Sequence, residues 1–393
     1  MPGSDGAIPK RRITTVIVHR PALERRVAAS LDASRTPVVL GGCGCGRTSL
    51  LIRLSQLIGN ERSQYVDLAA AATTPERCLA SVIGSSPFSL KNGHALAPAE
   101  SPRAAFERLL TFFDDAVAAD GGPVTFLIDE VLDVRTFESF PGLRHVQREL
   151  VGRFATSRNR FVLASRFTAR AHRLLRDAPS RFEVVHVTPL DAQEVTSMAL
   201  LFEGARPDWA ATTGPVVAAL TGGRASYVHA LLTALTQMGA ASDPVGALAS
   251  LCAPDGRITA LCHHCYEFRL QRARGYGALK AILGVLAELE PLNLTEIAQR
   301  LKRTPGSTKD YLSWLEDVDL ITSQRKRYSF DDPLLRLHVR LYGRPIPPTD
   351  DDLVREIQAF AQSRLPRGLD LPAEPVMAAS EPATRDGGII DID

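Results

Sequence analysis

Two stretches of this chain set chemically capable residues at fixed spacing. The first is Gly41-Gly-Cys-Gly-Cys-Gly-Arg-Thr48-Ser49, directly after the apolar run Pro37-Val-Val-Leu40. Gly41, Gly46, Arg47 and Thr48 fall on the phosphate-loop template G-x-x-x-x-G-K-[ST], with arginine in the lysine place. In such a turn the glycines let backbone N–H groups face phosphate oxygens, and the helix that follows adds a favourable dipole. Gly41, Gly42, Cys43, Gly44, Cys45, Gly46, Arg47, Thr48 and Ser49 are therefore candidates for binding ATP, with Thr48 also a ligand for Mg2+. A guanidinium clamps phosphate but does not interchange with an ammonium. Arg47 thus predicts binding and leaves hydrolysis open.

The second stretch is Pro123-Val-Thr-Phe-Leu-Ile-Asp129-Glu130, an apolar run ending in two carboxylates. Downstream of a phosphate loop this is what a magnesium–nucleotide site needs. Asp129 would hold the metal, and Glu130 would orient and polarise an attacking water. A third cluster, Cys262-His-His-Cys265 with Cys252 nearby, has the C-x-x-C spacing of a zinc site but lacks a second ligand pair. Leu261, Cys265 and Phe268 share one helical face, and the cluster is read as a helix.

The elements that must position these residues alternate. Val38–Leu40, Ser63–Leu68, Pro123–Glu130, Arg160–Arg166 and Glu183–Val187 read as strands, and Ile13–Val18 as a short β-branched run before them. Helical spacing appears at Leu23, Val27 and Leu31, at Leu50, Leu51, Leu54, Leu57 and Ile58, and at Phe106, Leu109, Leu110 and Phe113. Strands alternating with helices predict an α/β core, a parallel sheet covered on both faces. After Leu190 the strands stop. Gln193–Glu203, Pro215–Leu220 and Ala225–Met238 read as a small helical lid broken at Thr221-Gly-Gly-Arg224.

The order of phosphate loop, Ile128-Asp129-Glu130, Ala164-Ser165-Arg166, Ser180-Arg181-Phe182 and Gly222-Gly223-Arg224 resembles the AAA+ ATPases. Within them it is most similar to origin-recognition-type initiators and to archaeal-type, STAND-related ATPases with a C-terminal winged helix. The resemblance covers roughly residues 20 to 342 through short motifs. It implies that Ser165 senses the terminal phosphate, that Arg181 is an arginine finger and that Arg224 is a lid arginine touching the nucleotide.

Gly277–Tyr342 reads as a second, compact unit. Leu279, Ile282, Leu283, Leu286 and Leu289 line a first helix. Asn293 with Glu296 caps a second, and Thr304-Pro305 opens a third. Ile321–Phe330 reads as a hairpin tipped by Gln324-Arg-Lys-Arg327. Three helices and a basic hairpin predict a winged helix-turn-helix. From residue 297 to 344 there are ten Lys or Arg against six Asp or Glu, so residues 302–327 are the candidate DNA contact. Packing against protein is the alternative, because Asp310, Glu316 and Asp317 also lie on the third helix.

The expected organisation is an N-terminal extension (1–20), a P-loop ATPase core (21–190), a helical lid (191–240), a helical linker (241–276), a winged helix-turn-helix (277–344) and an acidic, proline-rich tail (345–393). The tail carries seven prolines and ten acids against four bases, so it is expected to be largely disordered apart from one helix over 350–365. Net charge is +2 over 393 residues, so overall charge selects no partner. No apolar run is long enough for a membrane span, no signal peptide is read, and six cysteines in a chain this long do not form a disulfide framework. The expected setting is the cytoplasm. The expected function is an ATPase switch that couples nucleotide state to a winged-helix grip on DNA or on a protein, with a homo-oligomer among its partners. Its rivals are a non-hydrolysing nucleotide-binding adaptor and a DNA-binding regulator with a degenerate loop.

Overall fold

The computed structural model describes residues 19–91, 99–176, 178–239, 243–270 and 275–365. The extension through residue 18, with the run Ile13–Val18, and the tail beyond 365 lie outside the described residues.

The strands of the first half are β1 (Thr36–Leu40), β2 (Ser63–Asp67), β3 (Ser89–Leu90), β4 (Ala116–Val117), β5 (Thr125–Asp129), β6 (Arg160–Ser165) and β7 (Phe182–His186). Five of them form one parallel sheet in the order β2-β5-β6-β1-β7, while β3 and β4 pair separately. All five residues of β1 and of β5 are buried, as expected for strands covered on both faces. Alternation splits their side chains between two layers. Val38, Leu40, Phe126 and Phe161 face the larger core, where Phe154 stacks on Phe161 at 4.0 Å between centroids. Val39, Leu127 and Val162 face a smaller layer closed by Val27, Leu31, Leu50, Leu51 and Leu54. Those last residues belong to the helices Pro21–Asp32 and Arg47–Ile58.

Register then decides what shares an edge. Leu40 pairs with Ser165, and both Val38 and Ile128 pair with Leu163. Leu40, Ser165 and the Asp129-Glu130 pair therefore end together, at the carboxyl edge where open α/β sheets bind ligands.

The lid differs from its expected form in one place. The helix there is Pro207–Thr221 and carries Pro215 in its interior rather than at its start. Missing one N–H, Pro215 gives up one rung of the helical ladder, but the helix is held on both sides of it by Ala210, Val217 and Leu220, all fully buried.

The last part consists of helix Tyr276–Leu289, β8 (Leu292–Asn293), helices Leu294–Arg300 and Pro305–Asp317, β9 (Ile321–Gln324) and β10 (Arg327–Phe330). Its sheet is antiparallel, ordered β8-β10-β9. The predicted caps form: Asn293 and Glu296 make a reciprocal capping box, and Thr304 accepts from Ser307 N. Arg325 and Lys326 at the hairpin tip both have positive φ, 51° and 63°, as a two-residue hairpin turn requires. Helices Pro333–Tyr342 and Asp350–Arg364 follow. The end of helix Pro305–Asp317 is docked on the core. Asp319 accepts from Thr168 N (2.6 Å) and Ala169 N (3.3 Å), the first N–H groups of helix Thr168–Leu175, and Asp317 pairs with Arg173.

Candidate nucleotide site

The turn after β1 leaves the sheet at Gly41 and enters helix Arg47–Ile58 through Gly46, a left-handed residue (φ 98°). Gly44 (φ 71°) has no room for a side chain, because a Cβ would run into the Ser226 hydroxyl. Ser226 N donates to Gly44 O at 3.0 Å, so the start of helix Ala225–Met238 closes over the loop.

Thr48 stands on the first turn of the loop helix and donates from Oγ1 to Asp129 Oδ2 at 2.6 Å. Tyr65 OH reaches the same oxygen at 3.1 Å. Asp129 is buried, and its other oxygen accepts from Glu130 N (3.0 Å). A hydroxyl and a buried carboxylate thus meet where a divalent ion on an oxygen-ligand set would be held.

Glu130 sits in left-handed backbone (φ 52°, ψ 47°), which costs a residue with a Cβ about 1 kcal/mol. That turn brings its carboxylate back toward the loop. Oε1 accepts from Arg47 Nη2 at 2.6 Å, and Oε2 accepts from Arg166 N at 3.0 Å with Arg166 Nε at 3.2 Å. Burial pushes the Glu130 carboxyl upward, against the opposing pull of Arg47 and Arg166.

Arg47 is 7% exposed and is folded into its own loop. Nη1 donates to Gly41 O and to Gly42 O (3.0 Å), and Nε is buried with no partner. The guanidinium fork reaches two loop carbonyls and a carboxylate together, which an ammonium point charge would not span in the same way.

Arg224 closes the other side. Nη1 donates to Cys43 O at 3.0 Å, Nη2 to Asp331 Oδ2 at 2.7 Å, and Nε pairs with Asp332 Oδ2 at 3.1 Å. Asp332 caps helix Pro333–Tyr342 and accepts from Tyr227 OH at 2.9 Å. The loop is thereby tied through one side chain to the C-terminal part of the chain. Cys43 is tied there too. Its thiol meets that of Cys265, and this hydrogen bond, with Arg269, Arg47 and Arg166 nearby, holds Cys43 well below the usual thiol range. Cys45 is buried, and burial pushes its thiol up. Ser49 lies on the same helix turn as Thr48.

Ser165 ends at the same sheet edge but is fully buried, and its Oγ accepts from Phe167 N. Arg181 lies at the amino end of β7, the opposite edge of the sheet. It donates from Nη1 to Ala155 O and Ser157 O, both at 3.0 Å, at the end of helix Val146–Thr156. Cys262 and Cys265 lie buried on helix Arg257–Leu270. Cys262 meets Tyr227 OH, and no group of three metal-ligating side chains is found among the described residues.

Sequence reasoning missed Tyr65, Arg166, Ser226 and the Asp331-Asp332 pair. Arg166 was legible only as a neighbour of Ser165. Asp331 and Asp332 lie more than a hundred residues from Arg224, and no local spacing marks them.

A parallel sheet in this strand order, with a glycine turn after β1 and two acids at the end of β5, defines an α/β fold of the P-loop NTPase kind. Among solved structures the chain is similar to the Walker-type ATPase of Pyrococcus abyssi, with a TM-score of 0.62 at 17% identity over 82% of this chain and 96% of that one. Looser overlaps occur with a signal-transduction ATPase with numerous domains (STAND) bearing a tetratricopeptide-repeat sensor, from Pyrococcus horikoshii, and with the Drosophila origin recognition complex bound to GC-rich DNA and Cdc6. The first has a TM-score of 0.34 and 18% identity over 90% of this chain and 46% of that one. The second has a TM-score of 0.24 and 12% identity over 86% and 97%. Neither carries a fold argument. No protein-family model and no curated protein matches the chain. No helix among the described residues is long and apolar enough to cross a membrane.

Proposed function

We propose that this protein is an ATP-binding switch whose nucleotide state governs how its C-terminal part is held. The observation that carries the reading is Arg224, which joins the loop at Cys43 O to Asp331 and Asp332 at the head of helix Pro333–Tyr342. A phosphate entering the loop competes for Arg224 and for the unpartnered Nε of Arg47. Thr48 and Asp129 would hold Mg2+, which supplies charge neutralisation at the phosphates. Glu130 must leave Arg47 before it can orient a water. Loss of the Arg224 contact loosens the head of helix Pro333–Tyr342, while Asp317 and Asp319 still hold the end of helix Pro305–Asp317 to the core.

The test is hydrogen exchange over residues 331–342 with and without Mg-ATP. Exchange should rise on nucleotide addition in wild type, and Arg224→Ala should be fast in both conditions. No nucleotide effect in wild type, with ATP bound, defeats the coupling. Loss of ATP binding in both Thr48→Ala and Asp129→Asn is expected, and unchanged affinity in both defeats the site.

A second reading, a non-hydrolysing adaptor, is favoured by one observation. Arg47 occupies Gly41 O, Gly42 O and Glu130 together, which keeps the water-orienting carboxylate paired. Phosphate release that is absent in wild type and present in Arg47→Lys supports it. For the C-terminal unit, read as a winged helix, a protein contact is favoured over groove entry. Asp317 and Asp319 already commit the end of its third helix to the core. Lys302, Arg303, Lys309 and Arg325 remain exposed for nucleic-acid backbone. A neighbouring subunit reached through Arg181 would need that side chain to leave Ala155 O and Ser157 O.

A further inference from the structure

Away from the loop, a cavity of about 1090 Å³ separates the core from the C-terminal part. Its walls are the 3₁₀ helix Val131–Ser139 and the helices Val146–Thr156 and Thr168–Leu175 on one side, and Phe268, Arg269 and Trp314 on the other. Six arginines line it against three carboxylates. All three carboxylates are spoken for: Asp133 by Arg166, Glu138 by Arg135 and Asp317 by Arg173. Arg144, Arg148 and Arg170 have no carboxylate partner among the described residues. Arg269 is 5% exposed, and although Nη1 donates to Asp319 O, its buried Nε has no partner.

A buried N–H without a partner, such as Arg269 Nε, is costly unless an acceptor joins it. Burial and the nearby Arg135 push Arg170 down, against the opposing pull of Asp317 and Asp319. The guanidinium fork suits phosphate oxygens, and Trp314 offers a half-buried ring for a base to stack on. The volume lies just above the usual range for small-ligand sites.

We propose that this cavity is a second ligand site, taking a small nucleotide with several phosphates, distinct from the nucleotide at Thr48. Arg144 and Arg148 meet the phosphates at the rim, Arg170 and Arg269 meet them deeper, and Trp314 stacks on the base. The site also reaches the loop in two contacts. Asp133 lines the cavity and holds Arg166 Nη2 at 2.6 Å, and Arg166 holds Glu130. A ligand that draws on Asp133's neighbourhood therefore bears on Glu130.

The chain has two tryptophans, so Trp209→Phe leaves Trp314 as the sole emitter. In that background, ATP, ADP and inorganic tripolyphosphate are titrated into the full chain while Trp314 fluorescence is followed. The expected result is a saturable change with the nucleotides, and a weaker one with tripolyphosphate, which has no base. Arg144→Glu with Arg148→Glu, two exposed and unpartnered positions, should raise the midpoint at least about tenfold. Thr48→Ala should keep a saturable signal, so failure here is separable from failure at the loop. Three results overturn the proposal: a charge-reversed variant that titrates like its parent, a signal lost in Thr48→Ala, or saturation by an oligonucleotide alone.

Discussion

The phosphate loop and the C-terminal hairpin unit are both rich in cations and use them in opposite ways. Arg47, Arg166 and Arg224 are each held by at least two acceptors. Lys302, Arg303, Lys309, Arg325 and Lys326 are exposed, and among the described residues Arg327 reaches Pro291 O and, at 3.8 Å, Glu296. A buried charge fixes geometry because leaving it unpaired is expensive, whereas an exposed one contributes little to the fold and stays available to a partner.

The largest effect that would break this contrast is at the buried pair. Glu130→Ala leaves Arg47 unpaired and should cost about 3–5 kcal/mol in denaturant unfolding. Arg47→Met with Glu130→Leu should restore most of it, and a double variant as unstable as the single would refute the pairing argument. Next comes Asp319, whose carboxyl burial raises to about 6, against Arg269 and the two backbone N–H groups that favour its charge. The unfolded chain ionises first as pH rises from about 4, so this group's contribution is full below that pH and fades by about 6. A difference scan against Asp319→Asn should show up to about 3 kcal/mol lost over that window. A flat difference would mean that Asp319 holds its proton no more tightly in the folded chain than in the unfolded one. The smallest effect is outside. Lys302→Ala, Lys309→Ala and Lys326→Ala together should shift stability by less than about 0.5 kcal/mol. If DNA is the partner, they should also flatten the salt dependence of binding in a filter assay. A substantial destabilisation would show that these cations serve the fold.

The same contrast explains what the sequence made legible. Strands buried on both faces announce themselves as apolar runs, and the positions of β1, β5 and β6 followed from them. Caps are local chemistry, so Asn293 with Glu296 and Thr304 with Pro305 were readable. The loop was readable because its glycines recur at a fixed interval. The side chains that complete it were not. Tyr65 reaches Asp129 through strand pairing, and Asp331 reaches Arg224 across more than a hundred residues, so only the folded topology brings them together. Pro215 misled because a local rule for helix starts was overridden by burial on either side.

Cys43 gives the loop a chemical signature of its own. Burial raises the thiols of Cys45, Cys78, Cys252 and Cys262, and the hydrogen bond with Cys43 raises that of Cys265, while Cys43 is driven toward thiolate and is only half-buried. Since the thiolate is the reactive form, a maleimide dye added at substoichiometric amounts should mark this one position first. The occupancy of the turn then becomes visible through the rate of alkylation, without engineering a reporter into it.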